Sequence, residues 1–181
     1  MPTTAPLDPS RRRFSRSRRR SQALTLALAT ACVTPAFVPA QTPTRADSAA
    51  VLSAAQTLLR SINTRDTSLA SPLLLPGGIF VSIRQGAGSS TPRVQTHAEF
   101  LSSLPTGKGQ YLERIWSPRT TIEGTLAEVR APYDFHVDGK FSHCGVDVFT
   151  LVKATSGWLI AATSYTVQQT GCAPSPLGPP K

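Results

Sequence analysis

From Asp47 onward, apolar residues fall at Val51, Ala55, Leu58 and Ile62, spaced by four, three and four. That period places them on one face of an amphipathic helix over 47–62, with Asp47 or Ser48 as its N-cap. A short helical turn is expected over 67–75, before Pro76-Gly77-Gly78 bends the chain. Ile79–Arg84 reads as a strand and 85–92 as a Gly/Ser loop. Thr96-His97-Ala98-Glu99 is a capping box that opens a second short helix, which Pro105 stops. His97 is expected to be exposed in the first turn of that helix.

The pattern then changes period. Residues 111–123, 125–137, 140–153 and 158–168 are β-rich, and turn chemistry separates them. Asp138-Gly139 is the strongest of these turns. As a two-residue type I′ turn it pairs Val137 with Lys140 and sets the register of the hairpin. After Cys172 the Pro-rich segment 173–181 supports neither helix nor strand and reads as a disordered tail. Helices followed by a four-stranded antiparallel run define an α+β domain over 47–172. The 181 residues suit one domain, and no internal repeat is present.

Charge changes the picture only at the N-terminus. The net charge is +9, but seven arginines and one aspartate in the first 40 residues account for +6 of it. The remaining +3 excludes a polycationic groove, so no nucleic-acid partner is expected. No 18-residue apolar run follows position 40, so no stable membrane span is expected either.

Residues 1–40 read as a signal peptide: a basic region, a short apolar core over 23–33, and Val38-Pro39-Ala40 offering cleavage before Gln41. Ser10-Arg11-Arg12-Arg13-Phe14 resembles the twin-arginine export motif, an over-charged general secretion signal being the alternative. A third possibility is a lipoprotein box at Ala29-Thr30-Ala31-Cys32, with Cys32 lipidated, although its first position departs from the usual Leu. All three export the chain to the periplasm or beyond, with 41–46 as a linker. In that oxidising setting Cys144 and Cys172 are expected to pair, two free thiols being the alternative. His143 and Cys144 are adjacent and Cys172 has no nearby His, so zinc spacing is absent and no metal is expected.

The order of elements resembles the nuclear transport factor 2-like domains, which include SnoaL-type polyketide cyclases and ketosteroid isomerase. Ile62-Asn63-Thr64-Arg65-Asp66 is similar to the end of that family's first helix. Lys153-Ala154-Thr155-Ser156-Gly157-Trp158-Leu159-Ile160 is similar to its last hairpin, and Tyr133–Cys144 resembles the lumazine-binding branch, named for its annotation. The resemblance spans 47–170. It implies a curved sheet around helices, a conical pocket and often a homodimer, but one fold hosts many chemistries. The isomerase's first-helix Tyr has no counterpart, since 47–62 holds no Tyr. Motifs for nucleotide, flavin or metal cofactors are absent, and no cofactor is expected.

Extending the Val137–Lys140 pairing without interruption sets Asp134 opposite His143 and Arg130 opposite Asp147. Alternation then groups these four with His136, Phe141 and Phe149 on one sheet face. Two readings follow. Either these are surface cross-strand ion pairs, with Val129, Ala131, Tyr133 and Phe135 packed on the helices, or the polar face lines the cone. In the second, Asp134 tunes His143 as a general acid/base. Trp116, Tyr111, Phe141, Phe149 and Tyr165 are the candidates for a ligand wall. The leading functional reading is an exported small-molecule-binding domain without its own catalysis. The alternatives are a cofactor-free isomerase, cyclase or dehydratase using His143 and Asp134, and a structural dimerisation module.

Overall fold

A computed structural model describes residues 44–86 and 91–180. The export signal, the cleavage site before Gln41 and the Cys32 lipidation site lie outside the described residues.

Helix α1 runs Arg45–Thr64. It begins two residues before the expected start because Thr44, not Asp47, is the N-cap. The Thr44 hydroxyl accepts from the Asp47 N–H at 3.0 Å, and Asp47 answers as the acidic partner of a capping box. Asp47 Oδ1 also accepts from Lys153 Nζ at 2.6 Å and from Trp158 Nε1 at 3.3 Å, tying the helix start to the last hairpin. Val51, Ala54, Ala55, Leu58 and Leu59 form the buried stripe, while Ile62 is partly buried at its end. Arg65 closes the helix in the left-handed region (φ 55°), and Asp66 caps the four-residue α2 (Thr67–Ala70) by accepting from the Ser68 N–H.

Among the described residues seven strands follow: β1 (Leu74–Arg84), β2 (Arg93–Thr96), β3 (Tyr111–Ile115), β4 (Arg119–Glu123), β5 (Leu126–Val137), β6 (Lys140–Ala154) and β7 (Gly157–Val167). Between β2 and β3 lies α3 (His97–Ser103), capped by Thr96 and Glu99 as expected. The sheet order is β2-β1-β7-β6-β5-β3, with β4 also on β5. Only β1 and β7 are parallel. The expected single strand 111–123 is two strands. Ser117 takes φ 46° and Pro118 follows, so β3 pairs with the end of β5 and β4 with its start.

The α1 stripe packs on the inner sheet face at Ala127, Val129, Phe149, Leu151 and Ile160, all nearly free of solvent. Removing this apolar surface from water is the main drive for the sheet to curve around the helix. His97 is not exposed. It is 3% accessible, its Nδ1 lies 2.8 Å from the Leu75 carbonyl, and its ring meets Phe80 edge-on. Gly78 leaves the room: a Cβ there would sit 2.2 Å from the His97 ring and 2.5 Å from the Ala161 carbonyl.

The Asp138-Gly139 turn forms with both residues at positive φ, and Val137 pairs with Lys140. Two pairs further on, the register changes. His136 faces Phe141, but Phe135 faces His143, so Ser142 is an extra residue on β6. This one-residue β-bulge turns every later β6 side chain to the opposite face from that expected. His143 is therefore opposite Phe135 rather than Asp134, and Arg130 is opposite Val148 rather than Asp147.

Cys144 bridges to Gln168 and is disulfide-bonded to Cys172, with Cα atoms 6.1 Å apart. The chain beyond forms neither helix nor strand. Ala173, Pro174, Ser175, Gly178, Pro179 and Pro180 share a shallow hollow with Asp134, His136 and Phe141.

Candidate functional site

The C-terminal half of α1 and the short α3 stand off the inner face and leave a cavity of about 510 Å³. Its apolar wall comes from Leu58, Leu59 and Ile62 of α1, Phe100 of α3 and Phe80 of β1. Its inner polar groups come from alternate positions of three strands, Glu113 of β3, His143 and Asp147 of β6, and Thr163 and Tyr165 of β7, with Arg93 and Gln95 of β2 and Ser103 of α3 also on its lining. Odd-numbered residues of β3, and of β6 after the bulge, share the inner face.

Glu113 and Asp147 both line this cavity, and their carboxyls interact there. Burial pushes the Glu113 carboxyl up to about 7, against the opposing pull of its interaction with Asp147. Asp147 is 2% accessible, and burial, then the Glu113 charge, raises its carboxyl well above the ordinary range. Burial and the mutual repulsion of two carboxylates disfavour ionising both, so near neutral pH the pair retains a proton. Asp147 Oδ2 and Thr163 Oγ1 are buried without a hydrogen-bond partner in the protein.

Asn63, in the last turn of α1, holds Glu113 in place. Its Oδ1 accepts from the Glu113 N–H at 2.6 Å, and its Nδ2 donates to the Glu113 carbonyl at 3.1 Å. The amide thus completes the free edge of β3 as another strand would. Arg65 follows over the Tyr111 ring, 4.4 Å from its centroid.

Tyr133 and Gly145 face each other across β5 and β6. A Cβ on Gly145 would stand 1.9 Å from the Thr166 carbonyl and 2.7 Å from Tyr133 Cε1. Its absence lets Tyr133 lie over β6 and donate to the Thr166 carbonyl at 2.7 Å. His143 stacks on Phe135 with centroids 4.9 Å apart, and its Nδ1 is 3.0 Å from Ser142 Oγ. Burial, and secondarily the charge of Arg84, lowers its proton affinity, so it favours the neutral imidazole.

The candidate residues divide between the two faces. His143, Asp147, Phe149, Tyr111 and Tyr165 line the cavity. Arg130, Asp134 and Phe141 lie on the outer face, and Trp116, whose N–H bonds to the Pro132 carbonyl, is also outside the cavity. Asp134 does not reach His143. It accepts two bonds from Arg114, at 2.9 and 2.5 Å, with His136 Nδ1 3.7 Å away. Phe141 is 48% accessible. Sequence reasoning missed Glu113, Thr163 and Asn63. The alternation Tyr111-Leu112-Glu113-Arg114-Ile115 carries a signal for the first, an acid set between two inward apolar residues. Among the described residues, no three His, Cys, Asp or Glu side chains converge as a metal set.

Helices packed in the concavity of a curved, mostly antiparallel sheet, with a cavity between, are the arrangement of the cystatin-like fold found in nuclear transport factor 2-like proteins. Solved structures agree. A Nostoc punctiforme protein of unknown function with a cystatin-like fold superposes with TM-score 0.59 at 9% identity, over 72% of this chain and 97% of that one. A nuclear transport factor 2-like superfamily protein from Salmonella enterica gives 0.57 at 16% identity, over 74% and 99%. A candidate dehydratase of the same family from Streptomyces avermitilis gives 0.53 at 13%, over 67% and 96%. No protein-family model and no curated protein matches the chain. The chain has the nuclear transport factor 2-like fold, and identities this low speak to fold alone.

Proposed function

We propose that this chain is an exported small-molecule-binding protein whose ligand occupies the cavity between α1, α3 and the inner sheet face. The single observation that carries the reading is the pair of orphaned polar atoms, Asp147 Oδ2 and Thr163 Oγ1, inside a cavity walled on its helical side by Leu58, Leu59, Ile62 and Phe100. Buried polar groups are ordinarily satisfied, and a ligand hydroxyl satisfies both a carboxyl and a threonine hydroxyl. The volume lies within the roughly 300–1,000 Å³ of small-molecule sites. The ligand is then a compact, largely apolar molecule carrying a hydroxyl or carbonyl at its inner end. Thermal shift with 2-naphthol and cyclohexanol tests this, since a binder of the native state raises the melting temperature. Loss of the shift in Thr163→Val and Asp147→Asn ties it to the cavity; no shift from either probe argues against the reading.

A second reading, cofactor-free acid–base catalysis, is favoured by the proton that the Glu113–Asp147 pair retains. A group that titrates near 7 both takes and returns a proton at neutral pH. The acid–base pair is then Glu113 and Asp147, not His143 and Asp134. Exchange of the α-hydrogens of a bound cyclic ketone with D2O, lost in Glu113→Gln, separates an enzyme from a passive binder.

Export is supported by the N-terminal pattern and by the Cys144–Cys172 bond, which suits an oxidising compartment. N-terminal sequencing from the native host tests cleavage before Gln41, with a chain beginning at Cys32 marking the lipoprotein alternative. Homodimerisation through the outer face, where Val146 and Val148 are half-exposed beside Arg130, is tested by sedimentation.

A further inference from the structure

We propose that the cavity's mouth is an anion-binding subsite, so that the ligand is an amphipath: an apolar body with a carboxylate, sulfonate or phosphate at its outer end. This rests on the small-molecule reading above and adds the charge and polarity of the ligand.

A second hollow of about 420 Å³ adjoins the cavity and shares Arg93, His143 and Tyr165 with it. Arg84, the hydroxyls of Ser82, Thr91 and Ser142, and the Gln169 amide also line it. Among the described residues, no carboxylate lines it. Arg84 and Arg93 form no ion pair among the described residues. Glu99, the acid that feels Arg93, is committed to the Thr96 cap, accepting from its N–H at 2.7 Å and its hydroxyl at 2.9 Å. Both arginine charges are therefore available, and they converge with a ring nitrogen donor and these hydroxyls on one opening.

Strand pairing explains the convergence. Asp147, Tyr165, Ser82 and Arg93 are successive partners across β6, β7, β1 and β2, on the inner face. The acidic floor and the basic mouth thus lie three strand spacings apart along one row, roughly 14 Å at the backbone. Arg84 is two residues beyond Ser82 on β1, so it joins the same face at the outer rim. A long charge separation along a single row, acid inside and base outside, matches a molecule with a hydroxyl at one end and an anion at the other. A free anion small enough for the mouth alone leaves the apolar cavity empty, and a neutral apolar molecule leaves the arginines unused.

The test uses 6-hydroxy-2-naphthoate and 2-naphthol, which share the flat apolar body and the hydroxyl and differ in the far carboxylate. Titration calorimetry of the oxidised mature chain at low salt is expected to give the acid about tenfold tighter binding, because charge-assisted bonds to guanidinium are strong. The preference should shrink in 0.5 M NaCl, the mouth being open to solvent. Arg84→Gln and Arg93→Gln should each reduce the ratio of the two affinities, and the double variant should bring it to about one. Arg93→Lys should retain part of it. Equal affinities for the two probes in the unaltered protein, or a preference that survives the double variant, overturn the proposal while leaving the binding cavity standing. Failure of both probes to bind overturns the cavity reading and this inference together.

Discussion

Glu113→Gln is the substitution that most directly probes the carboxyl pair, because glutamine copies the shape of a protonated glutamate and cannot ionise. In the native chain the Glu113 carboxyl stands at about 7 against an ordinary 4.5. The folded protein therefore keeps a proton that the unfolded chain has released, and stability falls as pH rises from 4.5 through 7. At about 1.4 kcal/mol for each tenfold change in proton affinity, the full loss has a ceiling of about 3 kcal/mol. Between pH 5 and 8 roughly 2–3 kcal/mol of it is traversed. Asp147, raised in the same direction, adds to the fall. His97 and His143 act with the opposite sign, since burial lowers both and their contribution is lost as pH falls below 6.5. Neither shift owes anything to Glu113, so both cancel when the two proteins are compared. Urea unfolding of wild type and variant at half-unit steps from pH 5 to 8 measures the difference. The two should be close at pH 5, and the variant should be the more stable by about 2–3 kcal/mol at pH 8, or roughly 5–10 °C in Tm. Parallel profiles across that range would refute the claim that the Glu113–Asp147 pair retains a proton.

Three further substitutions check the frame around the pair. Gly145→Ala should destabilise by about 2–4 kcal/mol in urea unfolding, since its methyl would press on the Thr166 carbonyl and displace Tyr133. Asn63→Ala should cost about 1–3 kcal/mol by the same assay, through the loss of both bonds to the Glu113 backbone, and should weaken any cavity ligand. Cys144→Ser with Cys172→Ser, or reduction of the native bond, should lower stability by roughly 3–4 kcal/mol on chain-entropy grounds for a separation of 28 residues. Scanning calorimetry with and without reductant reads it.

Local chemistry makes several elements legible in the sequence. The Asp138-Gly139 turn demands positive φ at two successive positions, and that demand alone fixes Val137 opposite Lys140. Thr96 and Glu99 cap α3 through contacts three residues apart. Cys144 lies opposite Gln168, four residues from Cys172, because the last hairpin carries its own turn. His97 escaped because its burial depends on Gly78, which is distant in sequence. Glu113 escaped for a similar reason: its partner Asp147 is two strands away, and the residue that positions it, Asn63, sits on a helix.

The division of the polar residues between the two faces turns on Ser142. An alternating pattern cannot reveal one inserted residue, because the residues on either side of it alternate correctly in themselves. Phe141-Ser142-His143 contains no glycine or proline to mark a break. Yet the insertion decides the chemistry. Without it, Asp147 would lie outside with Arg130, and Val146 and Val148 would face α1. With it, Asp147 and His143 enter the cavity, while Asp134 remains outside and finds Arg114. Deleting Ser142 therefore makes a sharp test of this geometry. The deletion restores an uninterrupted ladder from the turn, so either the bulge reforms elsewhere in β6 or Asp147 leaves the cavity. In the first case the elevated proton affinity of the Glu113–Asp147 pair survives, and with it the falling pH profile of stability. In the second, Glu113 loses its acidic neighbour, the orphaned carboxyl oxygen goes, and valines would have to replace it, at a cost of several kcal/mol for the overturned core. A fully stable deletion variant with a flat pH profile and unchanged binding would show that the carboxyl pair is not what the bulge builds.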